Sequence, residues 1–260
     1  CIRDSPYVIT YHSDVVRQQR LLAFYRPLLF RVLRGSGKIL ATSAPYIDSS
    51  PYLAPFKQKC TVVPLSVDHR RYGSARALFE PDSRPTLLFV GRHRYYKGLD
   101  DLLRALVSID VRLLVGGDGP MRQSWQQLAR DLGIGDRVRF LGDVSDEDLP
   151  GLYASADLFV LPANSRAEAF GKVLLEAMAS ELPCITTELG TGTSYVVQHG
   201  HTGLVVPPHQ PDALSAAVLT LLRDEPLRRK MGANGRQRVL NEFTVDRMLQ
   251  SIEDVYHEIL

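Results

Sequence analysis

The sequence predicts an α/β protein built on parallel, doubly wound sheets, and two observations carry the prediction. After residue 80, six short apolar runs read as strands, at 86–91, 111–115, 137–141, 157–161, 183–187 and 203–206. The segments between them have helical periodicity, and strand–helix alternation of this kind implies parallel strands joined by crossover helices.

The helices follow from spacing and caps. Leu99, Leu102, Leu103 and Leu106 keep the i, i+3, i+4, i+7 rule. Gly116-Gly-Asp-Gly-Pro120 is a turn, with a helix beyond it to about Leu132. Ser145 can cap a helix running to about Ala154. Phe170-Gly171 leads into a helix whose apolar positions are Val173, Leu174, Ala177 and Met178. Helices fill 211–260; the last is capped by Thr244, with Met248, Ile252, Val255, Tyr256 and Ile259 on one stripe.

Residues 1–68 repeat the grammar more briefly: strand 7–11, helix 15–33, strands 38–41 and 61–64. Four elements are too few for a complete doubly wound domain, so this block reads as the trailing part of one. A Pro/Arg/Ser-rich stretch, 68–85, links it to the rest. The expected organisation is a partial N-terminal domain over 1–68, a complete domain over 69–243, and a last helix, 244–260, packing back toward the first. The chain opens on Cys1 and runs almost at once into a strand, which suggests a piece of a longer protein.

Bulk composition narrows the function. The 260 residues are 45% hydrophobic and 23% charged, ordinary for a globular protein. A formal net charge of +2 gives no electrostatic ground for nucleic-acid binding. The three cysteines, Cys1, Cys60 and Cys184, are scattered, which argues for a reducing cytoplasm over a disulfide framework. No apolar run approaches the roughly 18 residues that span a bilayer.

Glu168 and Glu176 lie eight positions apart, the first on the loop after the 157–161 strand, the second about two turns into the next helix. In open α/β sheets ligands bind beyond the carboxyl ends of strands. A helix N-terminus suits phosphate, and ionised carboxylates suit hydroxyl-rich groups because they only accept hydrogen bonds. Such a pair around such a terminus fits a nucleotide-sugar; it equally fits a solvated helix with two incidental glutamates. Arg92 and Lys97 sit on the loop after the first strand of the second block, at the same sheet edge. Together they could neutralise a diphosphate, with Arg94 the rival for Arg92 and a solvated basic loop the plainer reading.

The ordered series Gly91-Arg92…Lys97-Gly98, Gly117-Asp-Gly-Pro120, Phe140-Leu-Gly142, Tyr153…Ala156-Asp157, Glu168-Ala-Phe-Gly171…Glu176-Ala-Met and Gly200-His-Thr-Gly203…Val206-Pro207-Pro208 closely resembles glycosyltransferase family 4, also called group 1. The resemblance covers about 60–260 strongly and implies a retaining enzyme of the GT-B fold: a complete Rossmann-like C-terminal domain plus part of a second. It implies that Arg92 and Lys97 hold the donor diphosphate, that Glu168 contacts sugar hydroxyls and that Glu176 holds the ribose. Gly91, Phe170, Gly171, Lys172 and Val173 would complete the donor site, with Thr191, Gly192 and Thr193 as further candidates near the phosphate. Ala169 stands where the family often has glycine. Ile9-Thr-Tyr-His12-Ser-Asp14 resembles the strand-end motif of the N-terminal domain, and His12 would reach across the cleft to the sugar.

Other patterns carry less. Asp146-Glu-Asp148 spells a DxD metal motif but opens a helix behind Ser145, where acids complement the dipole. His199, His201 and His209 look like metal ligands but fall around a turn before a strand. Cys184 follows Pro183 in a buried strand and reads as core. Arg17, Arg20, Arg31 and Arg34 share about a third of a helix circumference, with Pro27 a possible kink. Such a face suits an anionic membrane or a lipid-diphosphate acceptor; it is also simply a solvated basic face.

The expectation is therefore a hexosyltransferase, weakly a mannosyl or related enzyme of surface-polysaccharide synthesis. Its donor would be a GDP- or UDP-sugar and its acceptor a saccharide or lipid-linked group. No cofactor, metal or nucleic acid is expected, and the location would be cytoplasmic, with peripheral membrane contact open. The alternatives are a sugar phosphorylase or nucleotide-sugar epimerase on the same fold, and a nucleotide-sugar-binding fragment without turnover.

Overall fold

The computed structural model describes residues 6–16 and 19–260, residues 19–23 by backbone alone. Cys1, Arg17 and the side chain of Arg20 lie outside the described residues.

A small unit comes first. β1 (Val8–Tyr11), β2 (Lys38–Ala41) and β3 (Cys60–Val62) form a parallel sheet in the order β1-β2-β3. α1 (Gln19–Gly35) makes the first crossover, and Pro27 lies inside it without ending the helix. α2 (Ala44–Ser49) is an element that the hydrophobic pattern passes over. It is too short for a period, and its signal is local: Ser43 accepts from the Tyr46 N–H, and Pro45 stands in the first turn. Tyr11, Leu33, Ile39, Ala41, Tyr46, Ile47 and Leu53 form the core of this unit.

The large unit is one parallel sheet of β4 (Thr86–Val90), β5 (Arg112–Gly116), β6 (Val138–Gly142), β7 (Leu158–Leu161), β8 (Cys184–Thr187) and β9 (Gly203–Val206). Its order is β6-β5-β4-β7-β8-β9. Every residue of β4, β7 and β8 is buried, as strands covered by helices on both faces must be. The covering helices are α3 (Leu99–Ala105), α4 (Arg122–Asp131), α5 (Leu149–Tyr153), α6 (Lys172–Ala179), α7 (Gly192–Val196), α8 (Pro211–Arg223) and α9 (Glu225–Glu242). The strand order reverses between β4 and β7, so the loops that follow these two strands diverge and open a crevice.

The 68–85 stretch is packed rather than free: Leu78 N–H donates to Gly151 O at 2.9 Å and Phe79 N–H to Ser155 Oγ at 3.0 Å. α10 (Val245–Ile259) starts at Thr244, whose hydroxyl accepts from Arg247 N–H. It lies on the small sheet, with Val255 buried against Leu40 and Val63, and Met248 and Ile252 beside them. Tyr256 leaves the expected stripe and is 50% exposed. Among the described residues no helix is long and apolar enough to cross a membrane.

Candidate functional site

The crevice between β4 and β7 holds a buried ion pair. Lys97 Nζ lies 2.6 Å from Glu168 Oε2, and each residue is only 8% exposed. The contact is ionic rather than an aligned hydrogen bond, because Glu168 Oε2 accepts none of normal geometry. Two loops are locked together to make it. Gly98 adopts φ 67°, and a Cβ there would meet the Pro162 carbonyl oxygen at 2.0 Å. Asn164 N–H donates to Tyr96 O at 2.9 Å. The Tyr96 ring lies 5.7 Å from the Lys97 ammonium, within cation–π range. Gly91 leaves room for that ammonium, since a Cβ there would lie 3.4 Å from Nζ.

Beyond Glu168 the chain turns into α6 through Gly171, at φ 80°, where a side chain would strike Leu174. The free N–H groups of this terminus follow Glu168 closely along the chain, with Lys172 exposed and Val173 half-buried. Phe170 is buried edge-on against Phe243, so only its backbone can serve a ligand. Ala169 needs no glycine: its φ is not positive, and its methyl packs on the small unit's core. Thr191 Oγ donates to Glu168 O at 2.9 Å, and Gly192 N–H to Ala169 O at 2.8 Å. Thr193 Oγ donates to Thr187 O. The threonine hydroxyls thus brace the Glu168 loop and its neighbour.

Glu176 faces inward from α6 and is 8% exposed. Its Oε2 accepts from Tyr153 OH at 2.9 Å, a partner from α5. Burial pushes the carboxyl up, while the Tyr153 hydrogen bond and the Lys172 charge pull it down.

Arg92 is exposed and lines a cleft of about 460 Å³ with Gly117, Asp118, Gly119 and Asp143. Asp118 is committed: it accepts from Gly119 N–H at 2.6 Å and Arg122 at 2.7 Å, which hold its carboxyl below the usual range. Asp143 is exposed at the cleft. Arg94 is exposed too but does not line it. Beneath this loop His93 is fully buried against Trp125, with ring centroids 5.1 Å apart.

His12 is exposed on the loop after β1. Two residues on, Asp14 pairs with Arg166, which precedes Glu168 by two positions. Tyr153 and Asp14 stand in the motifs quoted from the sequence, but their pairing with Glu176 and Arg166 was not legible there, since no spacing connects residues 23 and 152 positions apart.

The remaining candidates have structural partners. Ser145 Oγ accepts from Asp148 N–H at 3.1 Å, and Asp146 O takes a hydrogen bond from Arg71. His199 Nδ1 meets the Val205 backbone, His201 lies against Asn234, and His209 is 3.7 Å from Asp101. Among the described residues, no three His, Cys, Asp or Glu side chains are grouped as metal ligands. Cys184 is buried in β8, where burial pushes its thiol up.

Two Rossmann-like units, with the site at the carboxyl edge of the larger sheet, make this an α/β protein of the GT-B class. The chain belongs to the glycosyl transferases group 1 family, whose pattern it matches over residues 74–238. It is 40% identical over 246 residues to D-rhamnosyltransferase WbpZ of Pseudomonas aeruginosa, covering 93% of this chain and 64% of that protein. It is 35% identical over 261 residues to O-antigen chain mannosyltransferase C of Escherichia coli, covering 99% of this chain and 70% of that protein. The structure of Anabaena HepE in complex with UDP-glucose shares the fold, with a TM-score of 0.82 at 21% identity, over 97% of this chain and 72% of that one. The chain thus spans 64% and 70% of the length of these two sequence relatives.

Proposed function

We propose that this chain carries the donor half of a retaining hexosyltransferase that moves mannose or a related sugar from a nucleoside diphosphate to a saccharide or lipid-linked hydroxyl. The observation that carries the reading is the buried Lys97–Glu168 pair at the switch point, with the α6 N-terminus following Glu168 along the chain and Arg92, which lines the cleft, preceding Lys97 on the same loop. Glu168 presents a carboxylate to sugar hydroxyls, and Glu176 one to the ribose. Departure of the diphosphate develops negative charge. Arg92, Lys97 and the free N–H groups after Gly171 stabilise it with no demand for a metal ion. Glu168 and Glu176 bind substrate in this reading, and the leaving phosphate takes the proton of the attacking hydroxyl. His12 faces the sugar from the small unit.

The donor base would sit in the Arg92 cleft. Asp143 offers a carboxylate that accepts two hydrogen bonds, which suits the adjacent N–H groups of guanine better than the edge of uracil. The acceptor-side unit adds a surface argument. α1 exposes Phe24 (87%), Tyr25 and Leu28 next to Arg26, Arg31 and Arg34, a composition suited to anionic lipid. Equal binding to neutral and anionic vesicles would remove that part.

Calorimetric titration with UDP, GDP and ADP, with and without magnesium, tests the donor site. The expected result is metal-independent binding with GDP preferred, weakened in Glu176→Ala and in Arg92→Ala, an exposed position that leaves folding intact. No binding to the folded wild-type chain overturns the reading.

A further inference from the structure

Three segments that sequence distance keeps apart converge on Arg166. Its Nη2 donates to Asp14 Oδ2 at 3.0 Å, on the same loop as His12. Its Nη1 donates to Ser49 Oγ at 2.8 Å, at the end of α2, and lies 3.4 Å from Gly190 O, on the loop that leads to Thr191 and Gly192. The guanidinium carbon sits 5.5 Å from the Tyr46 ring. Asp14 is built to receive it. Its side chain is 5% exposed, and its other oxygen accepts from Ser50 Oγ at 2.7 Å and Tyr11 OH at 3.0 Å.

Glu168 lies between two contacts with the small unit. Arg166 is two residues before it, and Ala169, immediately after it, packs its methyl on the small unit's core. The Glu168 carbonyl is tied in turn to Thr191. The sugar-facing carboxylate therefore has its position set from across the cleft.

Resting on the donor reading above, we propose that Arg166 is a positioning residue: paired with Asp14, it couples the placement of the two units to the placement of Glu168, so that the donor sugar is gripped only when the units are together. The nucleotide subsite, built from Arg92, Lys97, Glu176 and the α6 terminus, takes all its residues from the large unit, and Arg166 touches none of them directly.

The test compares wild type with Arg166→Ala, Asp14→Asn and the double variant, each with two measurements. Hydrogen exchange of the ligand-free chain should show faster exchange at 165–171 and 11–14 together in Arg166→Ala, with the double variant no worse than the single. Titration should show GDP affinity unchanged, while the added affinity for the GDP-hexose falls about tenfold, in the usual range of coupling between sites. Asp14→Asn keeps the Ser50 and Tyr11 hydroxyl partners and so remains folded. Wild-type exchange at 165–171 in Arg166→Ala, or additive effects of the two substitutions, overturns the coupling. A wild-type chain that binds GDP while Arg166→Ala keeps the full sugar increment overturns the positioning role alone. A wild-type chain that binds no nucleotide overturns the donor reading, and the sugar-positioning role with it.

Discussion

Lys97 and Glu168 come from loops 71 positions apart and meet at 2.6 Å with their side chains 10% exposed, in the crevice where the strand order of the large sheet reverses. Each charge is tolerable there only because of the other. A group proposed for phosphate and a group proposed for sugar thus share one electrostatic unit.

Removing one partner should cost far more than removing both. Lys97→Met leaves a buried carboxylate unpaired and should lower unfolding free energy by about 3–5 kcal/mol. Lys97→Met combined with Glu168→Gln should recover most of that loss. Urea denaturation of the single and double variants decides it; equal midpoints for the two would mean the pair is solvated.

Glu176 should trade stability for binding. Burial raises its carboxyl, so the folded state favours the protonated form. Its contribution to stability is full below the unfolded value of 4.5 and is lost as pH rises through the higher folded value. At pH 7 the ionised group therefore burdens the ligand-free chain. Glu176→Gln, which keeps an acceptor for Tyr153, should melt at a higher temperature than wild type at pH 7, with the gap closing toward pH 4. It should also bind nucleotide more weakly. A melting temperature unchanged across that range would refute the burial argument.

His93 sets an acid limit in the opposite sense. Burial lowers its folded value beneath the ordinary 6.5, so the unfolded chain takes up the proton first. Its stabilising contribution is present above pH 6.5 and is lost as pH falls toward the folded value. The chain has one tryptophan, Trp125, and it stacks near this ring, so its fluorescence reports the region directly. His93→Phe should shift the acid unfolding midpoint, followed by Trp125 emission, to lower pH. An unmoved midpoint would assign the acid limb to other groups.

Gly98→Ala should separate the two loops. It forces a non-glycine residue to φ 67° and drives a Cβ into the Pro162 carbonyl. The expected loss is about 2–4 kcal/mol. Nucleotide affinity should fall with it, because Lys97 is the adjacent residue. Wild-type stability and affinity in this variant would show that the loops can part without cost.

The regular elements were legible because burial writes itself into local pattern. β4, β7 and β8 are continuous apolar runs since both of their faces are covered, and Leu99, Leu102, Leu103 and Leu106 repeat at helical spacing because α3 packs along one stripe. Cys184 and the Thr244 cap were legible for the same reason. α2 was passed over because six residues are too few to show a period, although Ser43 and Pro45 marked its start. Tyr256 was misassigned because helical phase puts it near the stripe, whereas α10 meets its sheet over a narrower arc through Met248, Ile252 and Val255.

The sequence by itself determined the alternation of strands and helices, the glycines of the loops and the residue types placed at the carboxyl edge of the large sheet, because each of these depends on neighbours within a turn or a strand. Only the tertiary structure decided which of those residues face one another. Lys97 against Glu168, Tyr153 against Glu176 and Asp14 against Arg166 are long-range pairs whose energies come from burial and from charges brought together by the fold. Electrostatic and hydrogen-bond partners of that kind are a matter of distance in space, and a linear spacing carries no trace of it.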